Sequence, residues 1–128
     1  MGIPQVRMTV VGQMEINADA QGGACLLVVS GEIDLANVNV FIERLFELSA
    51  NGDQKIVLDL GDVVFVDSTV VNALFAAAPR IRSNGGDMAI VLSDSGVKRV
   101  FDIAGVDALY PIEPTRNKAA DRLGVTLD

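Results

Sequence analysis

"KIVLDLGDVVFVDSTVVNALFAAA", Lys55 to Ala78, decides how this chain is read. It opens on a short apolar run and ends in residues spaced as on a helix. Short runs rich in β-branched and apolar residues read as strands. Apolar residues returning every three or four positions read as a helix. KIVLDL (55–60) is therefore a central strand, and GDVVFV (61–66) continues it in extended form. Val71, Leu74, Phe75, Ala78 and Ile81 then recur at helical spacing. Between the two halves stands one polar cluster, Asp67-Ser68-Thr69. Asp67 is placed to cap the helix by accepting one of its first amides, a contribution of roughly 1 kcal/mol. Ser68 then falls at the first helical position, with its hydroxyl directed outward. Pro79 conflicts with this helix, because a proline loses the bond to the carbonyl four residues back. A kink is expected there rather than an end, since Ile81 still fits the helical face.

The same reading extends in both directions. Residues 1–12 form a lead-in with little structure. QMEINADA (13–20) reads as a strand, Gly22-Gly23 as a turn, and ACLLVVSGEI (24–33) as a stronger strand, which together make an antiparallel hairpin. Asp34 is the expected N-cap of a helix carrying Val38, Phe41, Ile42, Leu45 and Leu48, closed by Asn51-Gly52. Asn84-Gly85-Gly86 closes the second helix. DMAIVLS (87–93) is a further strand. Asp94 or Ser95 caps a third helix that ends at Gly105. ALYPI (108–112) is a last strand, held to a sheet edge by Pro111, and residues 115–125 form a terminal helix. The expected fold class is α/β: one domain over residues 13–125 with a short tail at 126–128, about four helices, and a mixed sheet whose N-terminal hairpin leads into a parallel centre with right-handed crossovers.

Composition fits one soluble domain. The chain has 128 residues, half of them apolar and 21% charged, enough to bury a single core. No apolar stretch is long enough to cross a bilayer, and the N-terminus lacks the layout of an export signal, so a cytoplasmic location without membrane insertion is expected. The net charge of −7 disfavours nucleic acid as a partner. It suits a basic protein surface, and it is equally an ordinary charge for solubility. Histidine is absent, which excludes Ser-His-Asp and Cys-His catalysis and the common histidine metal sites. Neither a GxxxxGK[ST] nor a GxGxxG pattern occurs. The single Cys25 lies in an apolar run and reads as a small buried side chain. The chain is thus expected to be no enzyme and to need no cofactor or metal.

That leaves the Asp-Ser-Thr turn as the place where chemistry could sit. A phosphate on Ser68 would add about −1.5 to −2 charges next to Asp67. Helix amides would attract it and carboxylates would repel it. The effect would fall on an interface centred there and hardly on the fold.

GEIDL (31–35), KIVLDLGDVVFVDSTVVNAL (55–74) and RSNGGDMAIVLSDSGVKRVFDIAGVDALYPI (82–112) together resemble the STAS-domain anti-sigma factor antagonists of bacteria. The likeness runs from about Met14 to Val125. It implies a protein that binds an anti-sigma factor with serine kinase activity and so frees a sigma factor for transcription. Phosphorylation by that kinase then releases the antagonist, and a metal-dependent serine phosphatase restores it. By the same resemblance Ser68 is the phosphoacceptor, with Thr69 second, and Asp34 lies close to the turn. The partner-binding residues implied are Asp34, Asp67, Ser68, Thr69, Val70 and Asn72. The family places glycine, an apolar residue and glycine after the two hydroxyls, whereas Val70, Val71 and Asn72 stand here. A side chain at 70 would change what a kinase cleft meets. The other reading of the resemblance is a non-catalytic STAS subunit of a transporter or of a stress-signalling complex.

Overall fold

The computed structural model describes residues 7–21, 24–50 and 54–127. Six strands form one sheet in sequential order: β1 (Arg7–Val11), β2 (Met14–Gln21), β3 (Ala24–Ile33), β4 (Lys55–Val66), β5 (Asp87–Val91) and β6 (Ile112–Glu113). β1, β2 and β3 pair antiparallel, and β3 through β6 pair parallel. Each parallel step is bridged by a helix: α1 (Val38–Ser49), α2 (Ser68–Ser83) and α3 (Gly96–Ala104), the last followed by a 3-10 turn at Val106–Ala108. α4 (Arg116–Leu123) follows β6.

Side chains alternate across a strand, and this sorts the core into two layers. Leu27, Val29, Ile56, Leu58, Met88 and Ile90 face α1, α2 and α3, where they meet Phe41, Leu45, Leu74, Ile81 and Phe101. Leu26, Val57, Ala89 and Val91, the alternate residues of the same strands, face α4 and meet Ala119, Ala120 and Leu123. A buried side chain such as Leu58 or Phe41 contributes about 1.5–3 kcal/mol by leaving water. α4 is pinned by two ion pairs, Arg116 Nε to Asp59 Oδ2 at 2.6 Å and Arg122 Nη1 to Glu113 Oε2 at 2.7 Å.

Four sequence expectations change. Residues 7–11 belong to a strand, not to an unstructured lead-in. The two-residue turn Gly12-Gln13, with Gly12 at φ 59°, folds this strand back on β2. α1 begins at Val38, and Asp34 does not cap it. The last strand lies at Ile112–Glu113, because Val106–Ala108 coils into the 3-10 turn; it does hold the sheet edge, as Pro111 led one to expect. Finally, α2 continues past Pro79 to Ser83 as expected, but its buried face differs. Its buried face is Val70, Val71, Leu74, Ala77, Ala78 and Ile81, which leaves Phe75 exposed. Pro79 lies on the exposed side of the helix, where water can reach a carbonyl left without its amide. The turns expected at Gly22-Gly23 and Asn51-Gly52 lie outside the described residues.

One glycine is required by the sheet. Gly31 has φ 90°, and a Cβ there would stand 2.0 Å from the carbonyl oxygen of Gln13. The same oxygen accepts a hydrogen bond from the Glu32 amide at 2.9 Å. β3 shifts register against β4 on either side of this point. The irregularity brings the ends of β3 and β4 to the same edge, from which α1 and α2 depart.

Candidate functional site

The polar turn lies at the carboxyl ends of the parallel strands, the edge at which loops of α/β folds gather side chains. Asp67 is extended, with φ −102° and ψ 178°, and it does cap α2. Its Oδ1 accepts the Thr69 amide at 3.0 Å and also the Thr69 hydroxyl. Its Oδ2 accepts the Leu35 amide at 3.3 Å. One carboxylate therefore starts α2 and ties the loop before α1 to it. Bonding to Thr69, above all by the hydroxyl, holds the Asp67 carboxyl below the usual carboxylate range.

The two hydroxyls of the turn differ in kind. Thr69 is half-buried and its hydroxyl donates to Asp67. Ser68 is exposed, and its hydroxyl has no hydrogen-bond partner among the described residues. The amides expected to welcome a phosphate are largely taken. Thr69 N–H donates to the Asp67 carboxylate and Val70 N–H to the Asp67 carbonyl at 3.1 Å. The local field at Ser68 is therefore weighted toward the carboxylate, which opposes a second anion.

Asp34 comes next to this turn through its neighbour Leu35, whose amide Asp67 holds. Its own Oδ1 accepts the Ala36 amide at 2.9 Å and closes a tight local turn. The residue that organises this loop is Asn37, which sequence reasoning passed over. It is 2% exposed. Its Oδ1 accepts the Asp34 amide at 2.9 Å, and its Nδ2 donates to the carbonyls of Glu32 at 3.0 Å and Val11 at 3.3 Å. One side chain thus joins the ends of β1 and β3 to the loop. An Asn between Asp34 and an apolar helix was visible as a possible cap, but its three partners come from pairing that only the folded chain supplies.

Val70 is fully buried in the core beneath α2. Its side chain offers no surface for a partner or a kinase cleft, so the departure from glycine at this position is absorbed by packing. Asn72, one helical turn beyond Ser68, is exposed. Lys98 pairs with Asp102 within α3 at 2.7 Å. Cys25 is buried, and burial pushes its thiol up. Among the described residues no group of three or more His, Cys, Asp or Glu side chains could hold a metal ion, and no helix is long and apolar enough to cross a membrane.

A mixed sheet opened by antiparallel strands, with an exposed hydroxyl at the start of the helix after its central strand, defines a class. The STAS domain family matches residues 15–119, and the chain belongs to that family. Its relatives include the anti-sigma-F factor antagonist RsfA of Mycobacterium tuberculosis, 28% identical over 75% of this chain and 77% of that protein. An anti-sigma F factor antagonist of Paenibacillus polymyxa is 25% identical over 88% of this chain and 97% of its own length. Among solved structures, the crystal structure of an anti-sigma factor antagonist from Mycobacterium paratuberculosis superposes with a TM-score of 0.77 at 22% identity, covering 87% of this chain and 94% of that one.

Proposed function

We propose that this chain is an anti-sigma factor antagonist of the bacterial cytoplasm, a binding module without catalysis of its own. It sequesters an anti-sigma factor with serine kinase activity and so frees a sigma factor for transcription. The surface that does so is centred on Asp34, Asp67, Ser68, Thr69 and Asn72, with Val70 holding the helix start from below. The kinase partner transfers phosphate to Ser68: the serine oxygen bonds to the γ-phosphorus of ATP, the bond to ADP breaks, and the hydroxyl proton passes to a base of the kinase. A metal-dependent serine phosphatase hydrolyses the ester with water and returns the binding form.

The observation that carries this reading is the contrast between the two hydroxyls. Ser68 is exposed and unbonded, while Thr69 next to it is tied to Asp67. Only Ser68 can turn freely into a kinase cleft. Phosphate there meets the Asp67 carboxylate with two nearby amides already occupied, so it repels an interface more than it disturbs the helix. The names of the relatives point to the same partner class. The test is to incubate the chain with candidate anti-sigma kinases and ATP and to map the modified residue. One phosphate on Ser68, lost in Ser68→Ala, is the expected result. A full phosphate shift on Ser68→Ala overturns the assignment. A subunit of a transporter would instead copurify with a membrane complex and take no phosphate from such a kinase.

A further inference from the structure

Ser68 stands at the rim of an open groove of about 450 Å³ between α2 and α3. Val66, Val71, Val100, Ile103 and Ala104 line it together with Ser68 and Asn72. Ile103 is 82% exposed, and Val100 beside it 39%. A smaller groove continues from Val100 to Val64 and Phe65 at the end of β4, where Val64 is 75% exposed. The chain therefore leaves an apolar strip in water that begins next to the switch residue. Exposed apolar surface of this kind on a soluble domain marks a contact site. No titratable side chain lines the larger groove. Its two polar lining residues, Ser68 and Asn72, are neutral and both stand on α2, so they do not converge on a small ligand from opposite walls. An apolar side chain of a protein partner fits it better.

We propose that this groove is the anchor socket of the complex: it seats a bulky apolar side chain carried on a cationic segment of the anti-sigma factor. This rests on the function proposed above. The charge of the occupant follows from the surroundings. The chain carries −7, and the carboxylate beside Ser68, Asp67, also holds the loop that bears Asp34. A segment with Lys or Arg beside its apolar anchor meets both features at once, and an acidic one would be repelled. The socket also gives the switch a second physical basis. A phosphate on Ser68 would be covered by the seated side chain and stripped of water with no cation in the groove to receive it, a large penalty for a charged group. Release then depends on the socket being filled, and charge repulsion adds to it.

The test uses Ile103, whose side chain is mostly in solvent, so its replacement leaves the fold intact. Circular dichroism of each variant checks this. Binding is measured by calorimetry against the anti-sigma factor that phosphorylates the wild-type chain. Ile103→Ser is expected to weaken binding ~10-fold or more, as loss of a central apolar contact does. Ile103→Glu is expected to bind more tightly than Ile103→Lys, because the occupant is cationic. Phosphorylation of Ser68 should weaken binding by a smaller factor in Ile103→Ser than in wild type, since the two share one socket. Unchanged affinity in Ile103→Ser overturns the socket while leaving the function proposed for Ser68 standing. Failure of every anti-sigma factor to bind the wild-type chain overturns that function, and the socket with it. Dimerisation of the wild-type chain at the same concentrations, abolished by Ile103→Ser, assigns the groove to a second copy and overturns the partner named here.

Discussion

Replacing Asp67 with alanine removes three hydrogen bonds at once: those from the Thr69 amide, the Thr69 hydroxyl and the Leu35 amide. Loss of a helix N-cap costs about 1 kcal/mol. The bond to Leu35 is 3.3 Å long and solvent-exposed, and the Thr69 hydroxyl can turn to water once freed, so these two together add at most about 0.5 kcal/mol. The sum is about 1–1.5 kcal/mol, or roughly 5 °C in the thermal midpoint of a domain this size. Asp67→Asn keeps an acceptor oxygen in place and should cost about half as much. The chain has no tryptophan, so urea denaturation is best followed by circular dichroism. The penalty must also depend on pH. The folded carboxyl titrates below its ordinary value of 3.8. Its contribution is therefore complete above that value and fades as pH falls through the lower folded one. The gap between wild type and Asp67→Ala should narrow below about pH 4. An Asp67→Ala protein as stable as wild type at pH 7, or a gap that widens in acid, would refute this account of the cap.

Gly31→Ala forces a side chain onto the Gln13 carbonyl at a backbone angle alanine rarely takes; we expect a loss of about 3 kcal/mol or more, read from the same urea titration. Asn37→Ala strands the Asp34 amide and the Glu32 and Val11 carbonyls, at about 2–4 kcal/mol, and hydrogen exchange should accelerate in the loop before α1. Ser68→Ala removes an exposed hydroxyl without a partner and should leave stability unchanged. Ser68→Asp adds a carboxylate beside Asp67 and should raise the dissociation constant for the anti-sigma factor in calorimetry; an unchanged constant counts against the charge switch.

Most of the architecture was legible because strand and helix periods are local properties. β4 and α2 stood out from the two halves of one apolar stretch; Asp67 starts α2 and Gly105 ends α3 as read, and of the two candidates Asp94 and Ser95 it is Ser95 that caps α3. What escaped depended on partners remote in sequence. β1 is a half-covered edge strand whose signal is five residues and a Gly-Gln turn. Asp34 and Asn37 are both good caps by residue type, and neither caps α1 with its side chain. Asn37 is drawn away by carbonyls of β1 and β3, and Asp34 by the amide of Ala36. The face of α2 was read correctly at Val71, Leu74, Ala78 and Ile81 and wrongly only at Phe75. Phe75 is the larger side chain, yet Val70 and Ala77 are the ones buried where α2 packs against α1. At the turn, the sequence offered two hydroxyls in series, and only the folded geometry separates the bonded one from the free one.

The central claim is that a free hydroxyl on Ser68 holds this protein in its binding state. Its most direct test is a competition assay in which a labelled sigma factor is displaced from the anti-sigma factor by this chain, before and after the chain has been phosphorylated to completion. The unmodified chain should release the sigma factor, the Ser68 phosphoprotein should not, and phosphatase should restore release. Equal release by both forms would contradict the account.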